Sequence, residues 1–295
     1  MRNWFITVLL VSSLISCEKD ISFDIENQPP KLVVDAQIEE GQPPVVLLTN
    51  TLNVFNSITP QLAAGSFVSN AKVTISNGTK THQLKEFSIA LGGGFFLNYY
   101  SNDPATPSTA FVGDTNTRYN LRIETGGEVY TATTFLPKNR RTMDSLWWKK
   151  SPVEGDSNRV TIRGKFTDPI GLGDNIRYYT KINRSPFLTP RNSVFTDEVV
   201  DGKKFEFDIA VGKDRNAERD NDPSKTIDFR RGDTVTIKLC NIDKASYNFW
   251  NTLEFSYNSI GNPFSAPNKV LGNISNGALG VFCGYSVREK TIICK

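Results

Sequence analysis

The chain contains one histidine, which is the first residue to consider for acid–base or nucleophilic catalysis. A Ser-His-Asp or Cys-His arrangement would have to be built on His82, because each needs an imidazole to take the proton of the nucleophile. His82 lies just inside the second arm of a predicted hairpin, and nothing beside it in the sequence marks a partner nucleophile. The sequence therefore does not predict this catalytic chemistry.

Two stretches carry enough oxygen ligands to be considered as cation sites. Residues 214–222 are rich in carboxylates and amides, which calcium prefers, but the stretch lacks the glycine and terminal glutamate of an EF-hand and contains two arginines. We interpret it as a solvated loop. Asp168, Asp174 and Asn175 form a second candidate, which we interpret as a turn. We therefore predict no metal and no cofactor. A carboxylate-based hydrolase stays an alternative, because two carboxylates need only meet in space.

Cys17 is the residue with the clearest predicted chemistry. Arg2 precedes a short apolar run, and residues 1–16 have the layout of a secretory signal peptide. The run closes with Leu14-Ile15-Ser16-Cys17, which resembles the bacterial lipobox: a small residue before the cleavage site, then a cysteine whose sulfur carries the diacylglycerol. We predict lipidation of Cys17 and a mature chain that begins there with palmitate-type acyl chains. The alternative is an ordinary signal peptide with an incidental cysteine.

The predicted anchor places the protein on a membrane without crossing it. Several acyl chains hold a protein durably, and no later run approaches the roughly 20 apolar residues of a spanning helix. Glu18-Lys19-Asp20 follows at once and is similar to the short Lys-plus-acidic signal that sends Bacteroidota lipoproteins to the cell surface. We therefore expect an outer-membrane location facing the cell exterior. The alternative is that these residues are only a solvated tether.

The charge and the cysteine content limit the functions and the disulfides that the chain can have. The formal net charge is +3 with acidic and basic residues interspersed, which excludes the basic surface typical of nucleic-acid binding. Besides Cys17 the chain has Cys240, Cys283 and Cys294. A disulfide between Cys283 and Cys294 would require a C-terminal hairpin that brings them face to face; buried free thiols are the alternative.

The first part of the mature chain has the pattern of a β-sandwich. Residues 17–30 form a polar tether, and residues 31–137 then contain short alternating strands with frequent turn signals. Asn77-Gly78 predicts a hairpin with a type I′ turn, and Gly126-Gly127 predicts a second hairpin. We therefore predict an N-terminal immunoglobulin-like β-sandwich domain.

Residues 138–295 form the predicted second domain, which is rich in β-strands and carries one helix. Asp201-Gly202 predicts a third hairpin turn. Asp243 is a suitable helix N-cap, and Ala245, Phe249 and Leu253 recur at helical spacing after it. An aromatic stripe of this kind usually packs in a core, so we expect the helix to cover the sheet.

Four residues are candidate contacts for a partner or ligand. Trp147 and Trp148 are adjacent, so in a strand one side chain faces the core while the other can stack on a sugar or insert into a protein partner. Asn262 and Phe264 lie in a loop stiffened by Pro263 and Pro267, after the predicted helix. Packing of this loop and of the tryptophans inside the molecule is the alternative.

The C-terminal block and several earlier features resemble one family. They are the lipobox, an early Leu-Val-Val strand, a Gly-Gln-Pro-Pro turn, the Asp-Pro…Gly…Asn-x-x-Tyr loop at residues 168–178, and the segment from Asn262 to Tyr285. This layout is similar to a Bacteroidota outer-membrane lipoprotein family known only as a domain of unknown function. Members are often encoded beside TonB-dependent receptors, which implies a non-enzymatic binding or accessory subunit of such a receptor. A structural or assembly subunit of an outer-membrane complex and a carboxylate-based hydrolase are the alternatives.

Overall fold

A computed structural model describes residues 29–52, 59–152, 156–214, 228–262, 265–266 and 268–295. The predicted signal peptide, the lipidation site at Cys17, the export signal Glu18-Lys19-Asp20, most of the oxygen-rich residues 214–222 and Phe264 lie outside the described residues. The predictions for these positions stay predictions. None of the helices in the described part of the chain is long and apolar enough to span a bilayer.

The described residues are mostly β-strand, which confirms the predicted fold class. The first half contains β1 Leu32–Glu39, β2 Val45–Asn50, helix α1 Pro60–Gly65, β3 Lys72–Ser76, β4 Thr81–Gly92, β5 Phe95–Asn102, β6 Thr117–Thr125 and β7 Glu128–Leu136. The second half contains β8 Thr142–Lys150, β9 Arg159–Thr167, β10 Asn175–Ile182, β11 Val194–Phe195, β12 Lys204–Ile209, β13 Phe229–Arg230, β14 Thr234–Ile242, helix α2 Lys244–Ser259 and β15 Leu279–Ile293. The short helix α1 is an addition to the single predicted helix.

Two sheets organise the chain. The larger one has 11 strands in the order β11-β10-β14-β15-β1-β2-β5-β4-β3-β6-β7, and the smaller one has 4 strands, with β9 pairing β8, β12 and β13. The first half packs as a sandwich, because β1, β2 and β5 bury their apolar residues against those of β3, β6 and β7. This core contains Val34, Ala36, Ile38, Val46, Leu48, Val73, Ile75, Tyr100, Tyr119, Leu121, Ile123 and Leu136. The alternation of buried and exposed side chains along β1 and β6 follows from the two-residue period of a strand.

β15 joins the two halves of the chain. It pairs in parallel with β1 and antiparallel with β14, so strands from residues 31–137 and 138–295 share one sheet. Phe282 of β15 is fully buried in the core of the first half, and the Gly284 N–H donates a 2.9 Å hydrogen bond to Thr134 of β7. The hydrogen-bonded network thus continues across the predicted boundary at residues 137 and 138, and residues 31–295 form one compact unit.

The second half contains two further cores on opposite faces of the large sheet. The small sheet packs against β10 and β14 through Val160, Ile162, Phe166, Ile176, Ile209, Phe229, Val235, Ile237 and Leu239. Helix α2 packs on the other face, where Phe249 contacts the cluster formed by Cys240, Ile242, Val281, Cys283 and Tyr285. The structure therefore confirms that the helix is a core element, and it confirms Asp243 as the N-cap, whose side chain accepts a hydrogen bond from the Ser246 N–H.

The turns follow the sequence signals with two differences. Gly126 and Gly127 both have positive φ and join β6 to β7, as predicted. Asn77-Gly78 also joins a hairpin, but only Gly78 has positive φ, so the predicted type I′ turn is wrong. The Asn77 side chain instead accepts hydrogen bonds from the Thr79 and Lys80 N–H groups.

The prediction of a hairpin at Asp201-Gly202 is wrong, although Gly202 has the expected positive φ. The strand before this turn, β11, pairs with β10 in the large sheet, whereas the strand after it, β12, pairs with β9 in the small sheet. The turn therefore carries the chain from one sheet to the other. A local turn signal does not determine which strands pair on either side of it.

The predicted disulfide between Cys283 and Cys294 is not formed. Both are buried free thiols, as is Cys240. The C-terminal hairpin that this bridge would require does not exist, because β15 runs without a turn from Leu279 to Ile293. At about 3.3 Å per residue, the strand holds the two cysteines roughly 35 Å apart, far beyond the reach of a disulfide.

Candidate functional site

Two loops are tied together beside the start of helix α2. Residues 168–174 lead into β10, and residues 196–203 lead into β12. The Asp168 N–H donates to the Lys203 carbonyl at 2.9 Å, and the Gly171 N–H donates to the Asp201 carboxylate at 2.7 Å. Gly171 and Gly173 both have positive φ, a conformation that glycine adopts without the strain of a side chain. The Asp-Pro…Gly…Asn sequence noted above thus forms a hydrogen-bonded loop.

These loops form one wall of a cleft of about 500 Å³. The end of β7, the end of β14 and the first turn of α2 provide the remaining walls. The lining residues are Phe135, Pro137, Leu172, Gly173, Asn175, Thr196, Asp197, Glu198, Ile242, Asp243 and Lys244. The lining combines apolar side chains with a few charged ones, which is the usual character of a ligand-binding cleft.

Large apolar side chains project into solvent from the same two loops. Ile170, Leu172 and Val199 are 83%, 68% and 78% exposed, and we call these three residues the apolar rim. Single exposed apolar residues are ordinary on a protein surface. Three on two hydrogen-bonded loops, of which Leu172 also lines the cleft, form a surface suited to contact another molecule.

Three buried aspartates lie within these loops. Carboxylate oxygens of Asp168, Asp174 and Asp197 lie within 4.8 Å of one another, and we call the three residues the aspartate cluster. Asp168 accepts a 2.6 Å hydrogen bond from Arg141 Nε, and neither side chain of this ion pair is exposed. Asp197 Oδ2 accepts two 2.8 Å hydrogen bonds, from the Gly173 and Asp174 N–H groups.

The aspartate cluster is electrostatically strained at Asp174. Burial raises the pKa of the Asp174 carboxyl, and the negative charges of Asp168 and Asp197 raise it further, while Arg140 and Arg141 oppose both effects. Arg140 Nη1 is 3.7 Å from Asp174 Oδ2, which is longer than a hydrogen bond. The sequence alone indicated only Asp168 and Asp174, because Asp197 is brought in by the folding of a separate loop.

Asp243 at the edge of the cleft has a structural role. Its Oδ1 accepts from the Ser246 N–H at 2.8 Å, and its Oδ2 accepts from the Phe135 N–H at 2.9 Å and from the Thr134 hydroxyl. Both oxygens are therefore used in fixing α2 to β7. Among the cleft carboxylates, Asp197 is likewise engaged by backbone donors, so these two are held as hydrogen-bond acceptors.

His82 is fully buried in the first half and has no exposed face. Its Nε2 accepts a 3.0 Å hydrogen bond from the Asp103 N–H, so the proton of the neutral ring is on Nδ1, which lies 2.9 Å from Thr109 Oγ1. Burial lowers the pKa of His82, and the Asp103 charge partly opposes this. The geometry gives His82 a structural role that connects β4 to the loop after β5.

None of the described residues that were predicted as partner contacts lines the cleft: Trp147 and Trp148 lie on β8, and Asn262 follows helix α2. Trp148 of β8 packs against the core of the second half, with the Arg231 guanidinium 5.1 Å from its ring centroid. Trp147 is half-buried and pairs with Arg163 across the strand. Asn262 is exposed just beyond helix α2. The structure thus confirms a packing role for one tryptophan of the pair, and the partner contacts stay predictions.

Fold and site together define a mostly β, sandwich-like protein with a cleft bounded by two aspartate-containing loops. The chain belongs to the family described as Domain of unknown function (DUF4249), whose model matches residues 18–291. Comparisons with curated proteins and with solved structures gave no match.

Proposed function

We propose that this protein is a lipid-anchored outer-membrane lipoprotein, facing the cell exterior, which acts as a non-enzymatic binding or accessory subunit of a TonB-dependent receptor. The anchor rests on the lipobox-like Leu14-Ile15-Ser16-Cys17 and on the export-signal-like Glu18-Lys19-Asp20. The family match begins at residue 18, directly after the proposed lipidated cysteine. The proposed signal peptide, residues 1–16, lies outside the matched residues.

The observation that carries the binding role is the apolar rim above the cleft. Its three side chains are between 68% and 83% exposed on loops that are anchored to each other by hydrogen bonds. Loops held by a rigid scaffold commonly carry binding residues. When a partner covers exposed apolar side chains, their removal from water favours binding. We infer that the receptor covers the rim.

The carboxylates of the site support a non-enzymatic role. A glycosidase-type pair needs one carboxyl to donate a proton to the substrate and another to act as nucleophile or base. Asp168 is fully buried in its ion pair with Arg141, and Asp243 uses both oxygens to hold the helix. Of the carboxylates that line the cleft in the described residues, Asp197 and Asp243 are engaged as hydrogen-bond acceptors, which leaves Glu198 without a second free carboxylate to complete such a pair.

The test is affinity purification from native outer membranes. The full chain carries a tag after Lys295 on a flexible linker, the membranes are cross-linked and solubilised in detergent, and co-purifying proteins are identified by mass spectrometry. A Cys17→Ser variant, which lacks the lipid attachment site, controls for binding in the wrong compartment. We expect a TonB-dependent receptor to be enriched with the wild type alone. Enrichment of other outer-membrane proteins without a receptor would favour the assembly-subunit alternative and overturn the proposal, as would the absence of any enriched protein.

A further inference from the structure

We propose that the aspartate cluster binds one divalent cation of the calcium type. Asp168, Asp174 and Asp197 come from two different loops, yet their carboxylate oxygens lie within 4.8 Å of one another. Three like charges held this closely repel one another unless positive charge balances them. The inference concerns the site beside the proposed partner surface and does not depend on the receptor.

Two carboxylate oxygens of the aspartate cluster are buried and accept no hydrogen bond from the described residues. Asp168 is 2% and Asp174 is 7% exposed, and the Oδ2 atom of each is buried without a hydrogen-bond partner. Buried carboxylate oxygens are normally hydrogen-bonded or coordinate a metal, because burial without a partner costs free energy. Two such atoms in one cluster are explained together if both bind the same ion.

The neighbouring arginines do not satisfy these oxygens. Arg141 bonds to Oδ1 of Asp168, the opposite oxygen from the unpartnered one. Arg140 approaches Asp174 Oδ2 only to 3.7 Å and donates instead to the Ile170 carbonyl at 2.7 Å. The three carboxylates and the two guanidinium groups together carry a net charge of −1. A bound divalent cation would change this net charge to +1.

The ligand set favours a hard cation such as calcium over zinc. All three side chains offer carboxylate oxygen, which hard cations prefer to the nitrogen and sulfur ligands of zinc. Two oxygens bound to the same Ca²⁺ at about 2.4 Å can lie up to about 4.8 Å apart, whereas Mg²⁺ at about 2.1 Å allows only about 4.2 Å. The three oxygens lie within 4.8 Å of one another, so one Ca²⁺ ion can bind all of them, and the titration with MgCl₂ described below distinguishes the two cations.

Binding would connect the two loops that form one wall of the cleft. Asp168 and Asp174 lie at the two ends of residues 168–174, and Asp197 lies in residues 196–203. An ion shared by all three fixes the loops to each other in addition to their hydrogen bonds. The position of the apolar rim would then depend on calcium, because Ile170, Leu172 and Val199 project from these same loops.

The test compares three versions of the full-length protein, purified in detergent and stripped with a chelator: wild type, Asp174→Asn and Asp201→Asn. Asparagine preserves the size of the side chain but removes the negative charge. Asp201 is the matched control, because it accepts a hydrogen bond in the same loop pair but lies outside the cluster. Isothermal titration with CaCl₂, and separately with MgCl₂, measures binding, and thermal unfolding is recorded in chelator and in calcium.

For the wild type we expect one bound Ca²⁺ per chain and a melting temperature about 5 °C or more higher when calcium is about 100-fold above its Kd. Asp174→Asn should bind calcium at least about tenfold more weakly. In chelator it should be at least as stable as the wild type, because one of three repelling charges is gone. In calcium this order should reverse, which a purely structural role of Asp174 would not produce.

Asp201→Asn should bind and respond like the wild type. The proposal is overturned if the wild type shows neither binding heat nor a calcium-dependent rise in melting temperature. It is equally overturned if Asp174→Asn binds calcium as tightly as the wild type. A failure of either kind would leave receptor co-purification unaffected, so the two proposals can fail separately.

Discussion

Replacement of Trp250 by alanine should destabilise the protein strongly, because this side chain attaches helix α2 to the large sheet. The Trp250 indole stacks on the buried Arg177 guanidinium, with 3.3 Å between the guanidinium carbon and the ring centroid. Its Nε1–H donates to the Tyr285 hydroxyl at 3.1 Å, and Arg177 Nη1 donates to the same hydroxyl at 3.0 Å. The Phe249 ring lies edge-on at 4.8 Å.

The expected loss of unfolding free energy follows from the surroundings of Trp250. Truncation of a buried tryptophan to alanine costs about 3–5 kcal/mol in unfolding free energy. Trp250 is half-buried, which points to the lower end, about 3 kcal/mol, even though the buried Arg177 also loses its aromatic partner. At roughly 2–4 °C per kcal/mol for a chain of this size, the melting temperature should fall by roughly 6–12 °C.

Thermal unfolding followed by circular dichroism measures this loss, with two companion variants. Trp250→Phe keeps a ring on Arg177 but loses the donor to Tyr285, so it should cost about 1 kcal/mol. Phe255→Ala removes a 51% exposed ring from the same helix and should change stability by less than about 1 kcal/mol. If Trp250→Ala melts within about 2 °C of the wild type, the packing role assigned to helix α2 is wrong.

Three further predictions test the anchor, the export signal and the buried histidine. Cys17→Ser should abolish labelling by a radioactive fatty acid, since the hydroxyl is a much weaker nucleophile than the thiol; retained label would contradict lipidation at this residue. Replacement of Glu18-Lys19-Asp20 by alanines should protect the protein from protease added to intact cells. Equal digestion of the wild type and the variant would contradict a role of these residues in export to the cell surface. The lowered pKa of His82 means that the unfolded chain takes up a proton more readily than the folded one. The stability from this group is complete above about pH 6.5 and declines as the pH falls below that value, so the melting temperature should drop between pH 7.5 and 5.5 in the wild type but less in His82→Gln.

Local patterns in the sequence were sufficient for the predominance of strands, for helix α2 and for two of the three predicted hairpins. The short alternating strands predicted in residues 31–137 are present, and the helical spacing after Asp243 predicted α2, because each pattern reports the face that the element buries. Gly126-Gly127 gave the correct hairpin for a similar reason: positive φ at two successive residues is a local property.

Pairing between distant segments could not be read in the same way. The parallel pairing of β15 with β1 depends on packing of the whole chain, and one long strand stands where a disulfide between Cys283 and Cys294 would have required a hairpin. The prediction of the candidate site from the sequence was incomplete for the same reason. Asp168 and Asp174 share a loop and were visible together, whereas Asp197 joins them only because the turn before β12 folds back onto that loop.

The apolar rim provides the most direct test of the receptor-binding account. Ile170, Leu172 and Val199 are replaced together by serine, and recovery of the receptor by affinity purification from native membranes is compared with that of the wild type. Serine replacement of three exposed apolar residues on the first half, Ile89, Phe96 and Val129, is the matched control. Both triple variants should melt close to the wild type, since exposed side chains contribute little to stability.

We expect the rim variant to recover at least about tenfold less receptor, because the loss of apolar contact area at the centre of an interface weakens binding, and a tenfold weaker Kd corresponds to about 1.4 kcal/mol. The control variant should recover the wild-type amount. Full recovery of the receptor by a folded rim variant would contradict the central claim that these two loops bind it.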